Sequence, residues 1–204
     1  MLFRSISGDI LIDGRRIAPA SVADAVARGI FYIPEDRSNN AVVPMFTVRQ
    51  NMTLPFLSVF DWLGIMKIGT ERRRARAMID AMGIKCAGEE AEMDSLSGGN
   101  QQKVVVARWL LESFELVILD EPFQGVDIRS RHEIGNHLRE HIGDKAAIVI
   151  ATDLDEVIEV ADRVVVMNGG AIVGEQLYQH IDRDQLLHWV SMETVHGERE
   201  ALEV

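Results

Sequence analysis

The sequence predicts an α/β fold: a mainly parallel sheet with flanking helices, interrupted by an inserted helical subdomain. Three observations carry this. Residues 116–119 (LVIL) and 146–151 (AAIVIA) are short continuous apolar runs, the pattern of parallel strands buried on both faces. From Leu116 onward such runs alternate with stretches of helical spacing, which is how parallel sheets are built. Between the first strands and that region, residues 47–84 are mostly helical in pattern, and 47–95 reads as the insertion.

Taken in order, residues 9–13 (DILID) alternate and stop at Asp13-Gly14, a turn signal. Ser21 caps a helical pattern over 21–28 that closes at Gly29. Residues 30–33 form a short buried strand ended by Pro34, and the polar run Glu35-Asp36-Arg37-Ser38-Asn39-Asn40 reads as a loop. Thr47 caps the helical region, with Gly64 and Gly69 as breaks. Residues 54–68 hold more large apolar groups than one helix of a small subdomain needs. Most are expected in the core, with Phe56, Phe60 and Trp62 as the best candidates to anchor a partner. The next helix carries Ala75, Met78, Ile79 and Met82 on one face. Its cluster Arg72-Arg73-Arg74-Arg76 reads as a solvated face, or else as a rim meeting an acidic partner or anionic headgroups.

Residues 96–102 make a Ser-Gly-Gly turn into an amphipathic helix running through Val104, Val105, Ala107, Trp109 and Leu110, with Gln101, Gln102 and Arg108 expected nearer the polar face. The strand at 116–119 ends in Asp120-Glu121-Pro122, and Gly125-Val126-Asp127 opens a helix over 128–142, broken at Gly143. The strand from Ala146 ends at Thr152-Asp153, followed by a helix through Val157, Ile158 and Ala161. Residues 163–167 and 171–175 flank Asn168-Gly169-Gly170 as a hairpin, expected as an antiparallel edge to the sheet. Residues 182–192 form a terminal helix, and 193–204 is a charged, frayed tail.

The totals exclude several classes. At 204 residues, with 47% hydrophobic and 26% charged, the chain can bury a sizeable core and is not disordered. A net charge of −11 disfavours nucleic acid as a partner. No apolar run approaches the ~20 residues of a membrane span, and no signal peptide is read at the start. The single cysteine, Cys86, cannot form an intramolecular disulfide and fits a reducing compartment. His132, His137 and His141 share a helix and invite a metal reading, but a solvated helix face is the preferred one.

Two features carry chemistry. Ser97, Gly98 and Gly99 open a helix, where free N–H groups and the positive dipole end favour an anion. Asp120 and Glu121 end a buried strand, where open α/β sheets bind ligands; one carboxylate suits Mg²⁺ and the next an attacking water. Singly, each is weak. In this order and spacing, LSGGNQQK followed by VILDEPFQGVD resembles the signature motif, acidic strand motif and D-loop of ATP-binding-cassette (ABC) ATPases. LSGGN and GVD look most like the C-terminal ATPase half of ribose/galactose/xylose-type sugar importers.

The resemblance implies a P-loop NTPase-like core and the cofactors ATP and Mg²⁺. It assigns water activation to Glu121, metal binding to Asp120, and contact with the γ-phosphate held by a partner to Ser97, Gly98, Gly99 and Gln101. Asp127 would connect two composite sites. PEDR at 34–37 matches the sugar-importer form of the Q-loop, putting Glu35 on the metal. Thr152 takes the place of a histidine that normally contacts the γ-phosphate, and a hydroxyl cannot relay a proton as imidazole does. No G-x-x-x-x-G-K-[ST] pattern is present, since the chain has no Gly-Lys pair. By resemblance that cradle lies upstream, residues 1–46 begin the ATPase core without it, and residues 96–192 complete the core. The implied partners are a second ATPase half or subunit, membrane permease subunits and, indirectly, a periplasmic sugar-binding protein. The implied location is cytoplasmic, peripheral on the inner face of the cell membrane. The chain alone is expected to be inactive. A non-catalytic fragment that only completes a partner's site is the alternative, and a soluble repair or translation ATPase is a third reading that the acidic charge, LSGGN and PEDR oppose.

Overall fold

The computed structural model describes residues 8–192. It contains two compact units, Met1–Ile150 and Ala151–Val204. The centre of the first is a three-stranded parallel sheet in the order β3 (Ile30–Ile33), β6 (Leu116–Asp120), β7 (Ala146–Ile150). Ile33 lies opposite Leu119, and Asp120 opposite Ile150, so all three strands end together. Period-2 alternation sends Phe31, Ile33, Val117 and Leu119 to a buried face. There Phe31 meets Phe56 at 5.4 Å and Trp109 at 4.9 Å between ring centroids. The other face is not fully covered as the continuous apolar runs imply: Tyr32, Ile148 and Ile150 stay about half exposed.

Ahead of the sheet, β1 (Ile10–Ile12) and β2 (Arg15–Ile17) form an antiparallel pair, and Ser21 Oγ caps α1 (Val22–Ala27) by accepting from Asp24 N at 3.1 Å. The expected loop at 35–40 contains a short helix, α2 (Arg37–Asn40). Asp36 organises it, accepting from the Asn39 N–H at 3.1 Å, because an Asp side chain can supply the acceptors a first turn needs.

The insertion opens with α3 (Val48–Thr53), whose Thr47 and Gln50 form a reciprocal capping box. A short 3₁₀ turn (Leu54–Phe56) and α4 (Leu57–Phe60) follow, then a hairpin of β4 (Asp61–Trp62) and β5 (Ile65–Met66), then α5 (Ile68–Ala81). The hairpin departs from the helical expectation. Leu63 (φ 54°) and Gly64 (φ 82°) make a two-residue turn with both residues left-handed, a geometry leucine rarely supplies. Gly69 lies inside α5 and breaks nothing. Phe56 and Phe60 are buried, which removes both as partner anchors, whereas Trp62, Leu63 and Ile65 are 59, 85 and 65% exposed.

The arginine cluster lies on a solvated face, with Arg72, Arg73 and Arg76 exposed, but three of its members are tied to carboxylates and do not form a free rim. Arg72 pairs with Glu90 at 3.0 Å, Arg76 with Glu89 at 2.6 Å, and Arg74 with Glu112. Only Arg73 stays local, on the Thr70 hydroxyl. At the centre of this network Arg49 donates to Glu71 at 2.7 Å and to Glu90 at 2.9 Å, and the Thr53 hydroxyl donates to Glu71 at 2.6 Å. Arg49 and Glu71 are both buried. Removing Arg49 therefore strands the Glu71 carboxylate at a cost of about 3–5 kcal/mol, whereas removing Glu71 leaves Arg49 its bonds to Glu90.

The second unit holds α8 (Leu154–Val160), β8 (Arg163–Asn168), β9 (Ala171–Leu177) and α9 (Arg183–Ser191). Its core is Val164, Val166 and Leu186. Gly174 lets Trp189 lie flat on β9, since a Cβ there would sit 2.3 Å from the indole. The hairpin β8–β9 is a two-stranded sheet of its own and not an edge of the parallel sheet. Its register pairs it only with itself, from Arg163↔Leu177 to Asn168↔Ala171. The expected tail at 193–204 lies outside the described residues.

The Arg76 hydrogen bond holds the Glu89 carboxyl down to about 2, against 4.5 for an ordinary glutamate. A depressed carboxylate stabilises the fold fully above its unfolded value and less as pH falls towards its folded one. The melting temperature is therefore expected to drop between pH 4.5 and 2, and the Glu89→Gln variant to show a shallower drop over that window. Identical slopes would show that Glu89 does not contribute to acid stability.

Candidate functional site

Strand register builds the acidic end of the sheet. Tyr32 lies opposite Ile118 in the ladder, one position before the strands finish at Ile33 and Leu119. From there its hydroxyl donates to Asp120 Oδ2 at 2.8 Å. Desolvation, and then that bond to a carboxylate, push the phenol above its ordinary range. Just beyond the strand, Glu121 takes a left-handed backbone (φ 45°) and its N–H donates to the Ile150 carbonyl at 2.8 Å. A non-glycine residue held there marks a turn that its surroundings over-determine, and such turns cluster at functional sites. Glu35, past the end of β3, accepts from the Gln124 amide at 3.4 Å. Asp120, Glu121 and Glu35 therefore all follow the C-terminal ends of paired parallel strands, and Tyr32 and Gln124 join them.

The second feature is the start of α6 (Gly98–Leu110). Ser97 is its N-cap but does not cap it with its side chain. The hydroxyl instead accepts from Asn100 Nδ2 at 2.9 Å, while Asn100 Oδ1 accepts from the Lys85 N–H at 2.8 Å. The asparagine of LSGGN thus ties the helix start to the end of the insertion, and the first N–H groups of α6 keep the orphan geometry of a helix N-terminus. Gln101 turns its amide back to the Met93 carbonyl at 3.1 Å, fixing the segment before Ser97.

Asp127 lies beside this helix start. It caps α7 (Ile128–Ile142), accepting from Ser130 N at 3.0 Å and Ser130 Oγ at 2.8 Å, and these bonds lower its pKa. A Cβ on Gly99 would meet Ser130 Oγ at 3.1 Å and Asp127 Oδ2 at 3.4 Å. A side chain here would need the Ser130 hydroxyl to give by a few tenths of an ångström. Thr152, two residues past β7, belongs to the second unit and is exposed. On α7, His141 Nδ1 bonds the His137 carbonyl and His137 faces Glu140 at 3.5 Å.

Sequence reasoning missed Tyr32, Gln124 and Ser130, read Asn100 only as part of LSGGN, and set Gln102 and Arg108 nearer the polar face of a helix that in fact buries both. Only Tyr32 left a signal, as a polar-tipped residue inside an apolar strand (IFYI) aligned with the acidic one. The others are polar residues whose partners lie up to 89 positions away.

The chain resembles known proteins along most of its length. The family model for ABC transporters matches residues 1–124. The arabinose import ATP-binding protein AraG of Pseudomonas syringae pv. tomato is 37% identical over 188 residues, 91% of this chain and 37% of that protein. The ribose import ATP-binding protein RbsA of Chelativorans sp. is 40% identical over 182 residues, 89% of this chain and 36% of that one. The chain therefore spans little more than a third of the length of these curated relatives. Among solved structures, the dimeric ATP-binding cassette MJ0796 in a post-hydrolysis state bound to ADP and Pi superimposes with a TM-score of 0.70. That match covers 86% of this chain and 75% of the other at 21% identity, and speaks to fold.

The glycine contact makes a direct prediction. Gly99→Ala must displace the Ser130 hydroxyl by a few tenths of an ångström, and Gly99→Asp also sets a carboxylate against Asp127. Melting temperature is expected to fall slightly for alanine and further for aspartate, with Ser130→Ala restoring the alanine variant. Lack of any restoration would show that the Gly99–Ser130 approach is not the constraint.

Proposed function

The chain belongs to the ABC transporter family, and on that premise we propose that it is the ATP-hydrolysing portion of an importer for a sugar or related carbohydrate. The relatives named as arabinose and ribose importers support the substrate class. The observation that carries the reading is the pairing of an acidic strand end with an unblocked helix start on one chain.

The residues fit Mg²⁺ and ATP on one side of a composite site. The N–H groups of Gly98 and Gly99 and the Ser97 hydroxyl suit an oxyanion. Asp120 and Glu35 offer the one or two carboxylates that Mg²⁺ takes beside phosphate oxygens and water. Among the described residues no three acids, histidines or cysteines gather as an all-protein metal cage. Bound between two ATPase halves, ATP supplies a γ-phosphoryl group for transfer to water.

Each side chain then has a role. Ser97, Gly98 and Gly99 orient the γ-phosphate presented by a second ATPase half, and Gln101 fixes the segment that leads into them. Glu121 takes the proton of the attacking water. Asp120 and Glu35 hold the metal, with Tyr32 fixing the Asp120 carboxylate. Asp127, capping α7 beside Gly99, connects the two composite sites. Thr152 donates one hydrogen bond where it cannot relay a proton, so the two sites are catalytically unequal. The insertion at 47–95 docks a membrane permease subunit through Trp62, Leu63 and Ile65, the exposed apolar hairpin. Among the described residues no helix is long and apolar enough to cross a membrane. By family likeness the place is cytoplasmic, peripheral on the inner membrane face, with an indirect link to a periplasmic sugar-binding protein.

A second reading is a non-catalytic fragment that only completes a partner's ATP site. Calorimetry of the 204-residue chain with Mg-ATP is expected to show no micromolar binding. In a family-length ATPase carrying this segment, Glu121→Gln is expected to lower turnover ~10²–10⁴-fold at one site, the range of a positioned base, with ATP binding intact. Wild-type turnover from that site, the other being silenced, selects the non-catalytic reading. For docking, Trp62→Ser is expected to weaken permease binding by ~2 kcal/mol with an unchanged melting temperature. Unchanged binding would remove the hairpin from the interface.

A further inference from the structure

We propose that Gln102 is a positioning residue for Glu121, resting on the reading of Glu121 as the group that takes the water's proton. Gln102 is 3% exposed, and its Nε2 donates to the Pro122 carbonyl at 2.7 Å across 20 positions of sequence. Pro122 follows Glu121 directly and is itself buried.

The turn needs such a hold. Glu121 sits in the left-handed region (φ 45°), which L-residues avoid and which persists only when neighbours impose it. From the sheet side, the Glu121 N–H donates to the Ile150 carbonyl at 2.8 Å. Within the turn, Gln124 N–H reaches the Glu121 carbonyl at 3.2 Å and Val126 N–H the Phe123 carbonyl at 3.1 Å. Proline has no N–H, so the Glu121–Pro122 peptide donates nothing and its neighbour's carbonyl is the handle that remains. Gln102 takes that handle from α6, and Phe123, next in the turn, is 1% exposed. Glu121 is thus clamped between a strand carbonyl and a side chain of α6.

The position on α6 gives the clamp its meaning. Gln102 is one turn beyond the helix start that carries Ser97 and Gly99, and its neighbour Lys103, also 3% exposed, donates to the Gly83 carbonyl at 3.2 Å and pairs with Glu133. A displacement of α6 therefore reaches the Glu121 turn through one buried amide. The helix that presents the anion-facing N–H groups and the carboxylate that acts on water are held in one geometry.

Gln102→Met is the informative variant, because it keeps length and packing while deleting the donor. Gln102→Asn keeps the amide but falls short of the carbonyl. By amide hydrogen exchange on the full chain, Gln102→Met is expected to speed exchange at Gln124 and Val126 at least tenfold, with Val117 and Leu119 in β6 unchanged. Unchanged exchange at all four amides, or equal acceleration at all four, overturns the proposal and leaves the ATPase reading standing. In a family-length ATPase carrying this segment, Gln102→Met and Gln102→Asn are expected to lower kcat tenfold or more with the KM for ATP unchanged. Neither should add to the loss caused by Glu121→Gln. A wild-type kcat in Gln102→Met, beside a defective Glu121→Gln, overturns the positioning role alone. Wild-type turnover in Glu121→Gln overturns the catalytic reading, and the proposal with it.

Discussion

Three buried polar side chains on α6 bond to carbonyls elsewhere in the first unit, and those bonds fix how it is assembled, while Trp109 Nε1 and one Arg108 nitrogen stay buried without a partner among the described residues. Gln102 reaches the Pro122 carbonyl, Lys103 the Gly83 carbonyl and Glu133, and Arg108 the Asn51 carbonyl at 2.6 Å. All three side chains are at most 5% exposed. A buried donor that loses its partner costs about 1–3 kcal/mol, more for a charged one, so α6 can neither slide nor rotate without stranding several at once. Apolar residues on the same helix, Val104, Val105 and Val106, are fully buried but would tolerate a shifted register better. The hydrophobic face makes the helix bury itself; the polar set decides where it stops.

Strand register plays the same part for the acidic end. Because side chains alternate with period two, a one-residue slip of β3 against β6 would turn Tyr32 into the core and Phe31 out of it. The aromatic contacts of Phe31 with Phe56, Trp109 and Phe114 oppose that slip. Packing on one face therefore sets a hydrogen bond on the other, from Tyr32 to Asp120. The core and the candidate site are two faces of one register.

Much of this was legible in the sequence where the signal is local. The strand at 30–33, the Ser21 and Thr47 caps and the helix opened by Asp127 were read at their observed places, because caps and short apolar runs declare themselves within a few residues. The acidic pair and the Ser-Gly-Gly turn were legible for the same reason. The β4–β5 hairpin was not, since its turn relies on Leu63 at positive φ, against leucine's preference. The arginine cluster was read as a solvated face, which it is, but its pairing was not legible because Glu89, Glu90 and Glu112 lie outside the helix that carries it. Aromatic anchors were misjudged by type: Phe56 and Phe60 look like Trp62 in sequence, and only packing separates core from surface.

Arg108 shows why the insertion and α6 behave as one piece. Burial pushes this guanidinium down to about 10, still far above neutral pH, so it stays charged inside the protein. No carboxylate pairs with it among the hydrogen bonds of the described residues; it rests on the carbonyl of Asn51. Asn51 is itself fully buried and occupied, accepting from the Val43 N–H and donating to the carbonyls of Val43, Phe46 and Thr47. One backbone dipole, held still by an asparagine network, thus meets the charge through Nε, while Nη2 is buried without a partner among the described residues. Moving α3 away from α6 would leave that charge buried with nothing to solvate it, a cost of several kcal/mol by the usual penalty for an uncompensated ion. A force applied to the insertion is consequently carried to α6, and through Gln102 to the turn that holds Glu121.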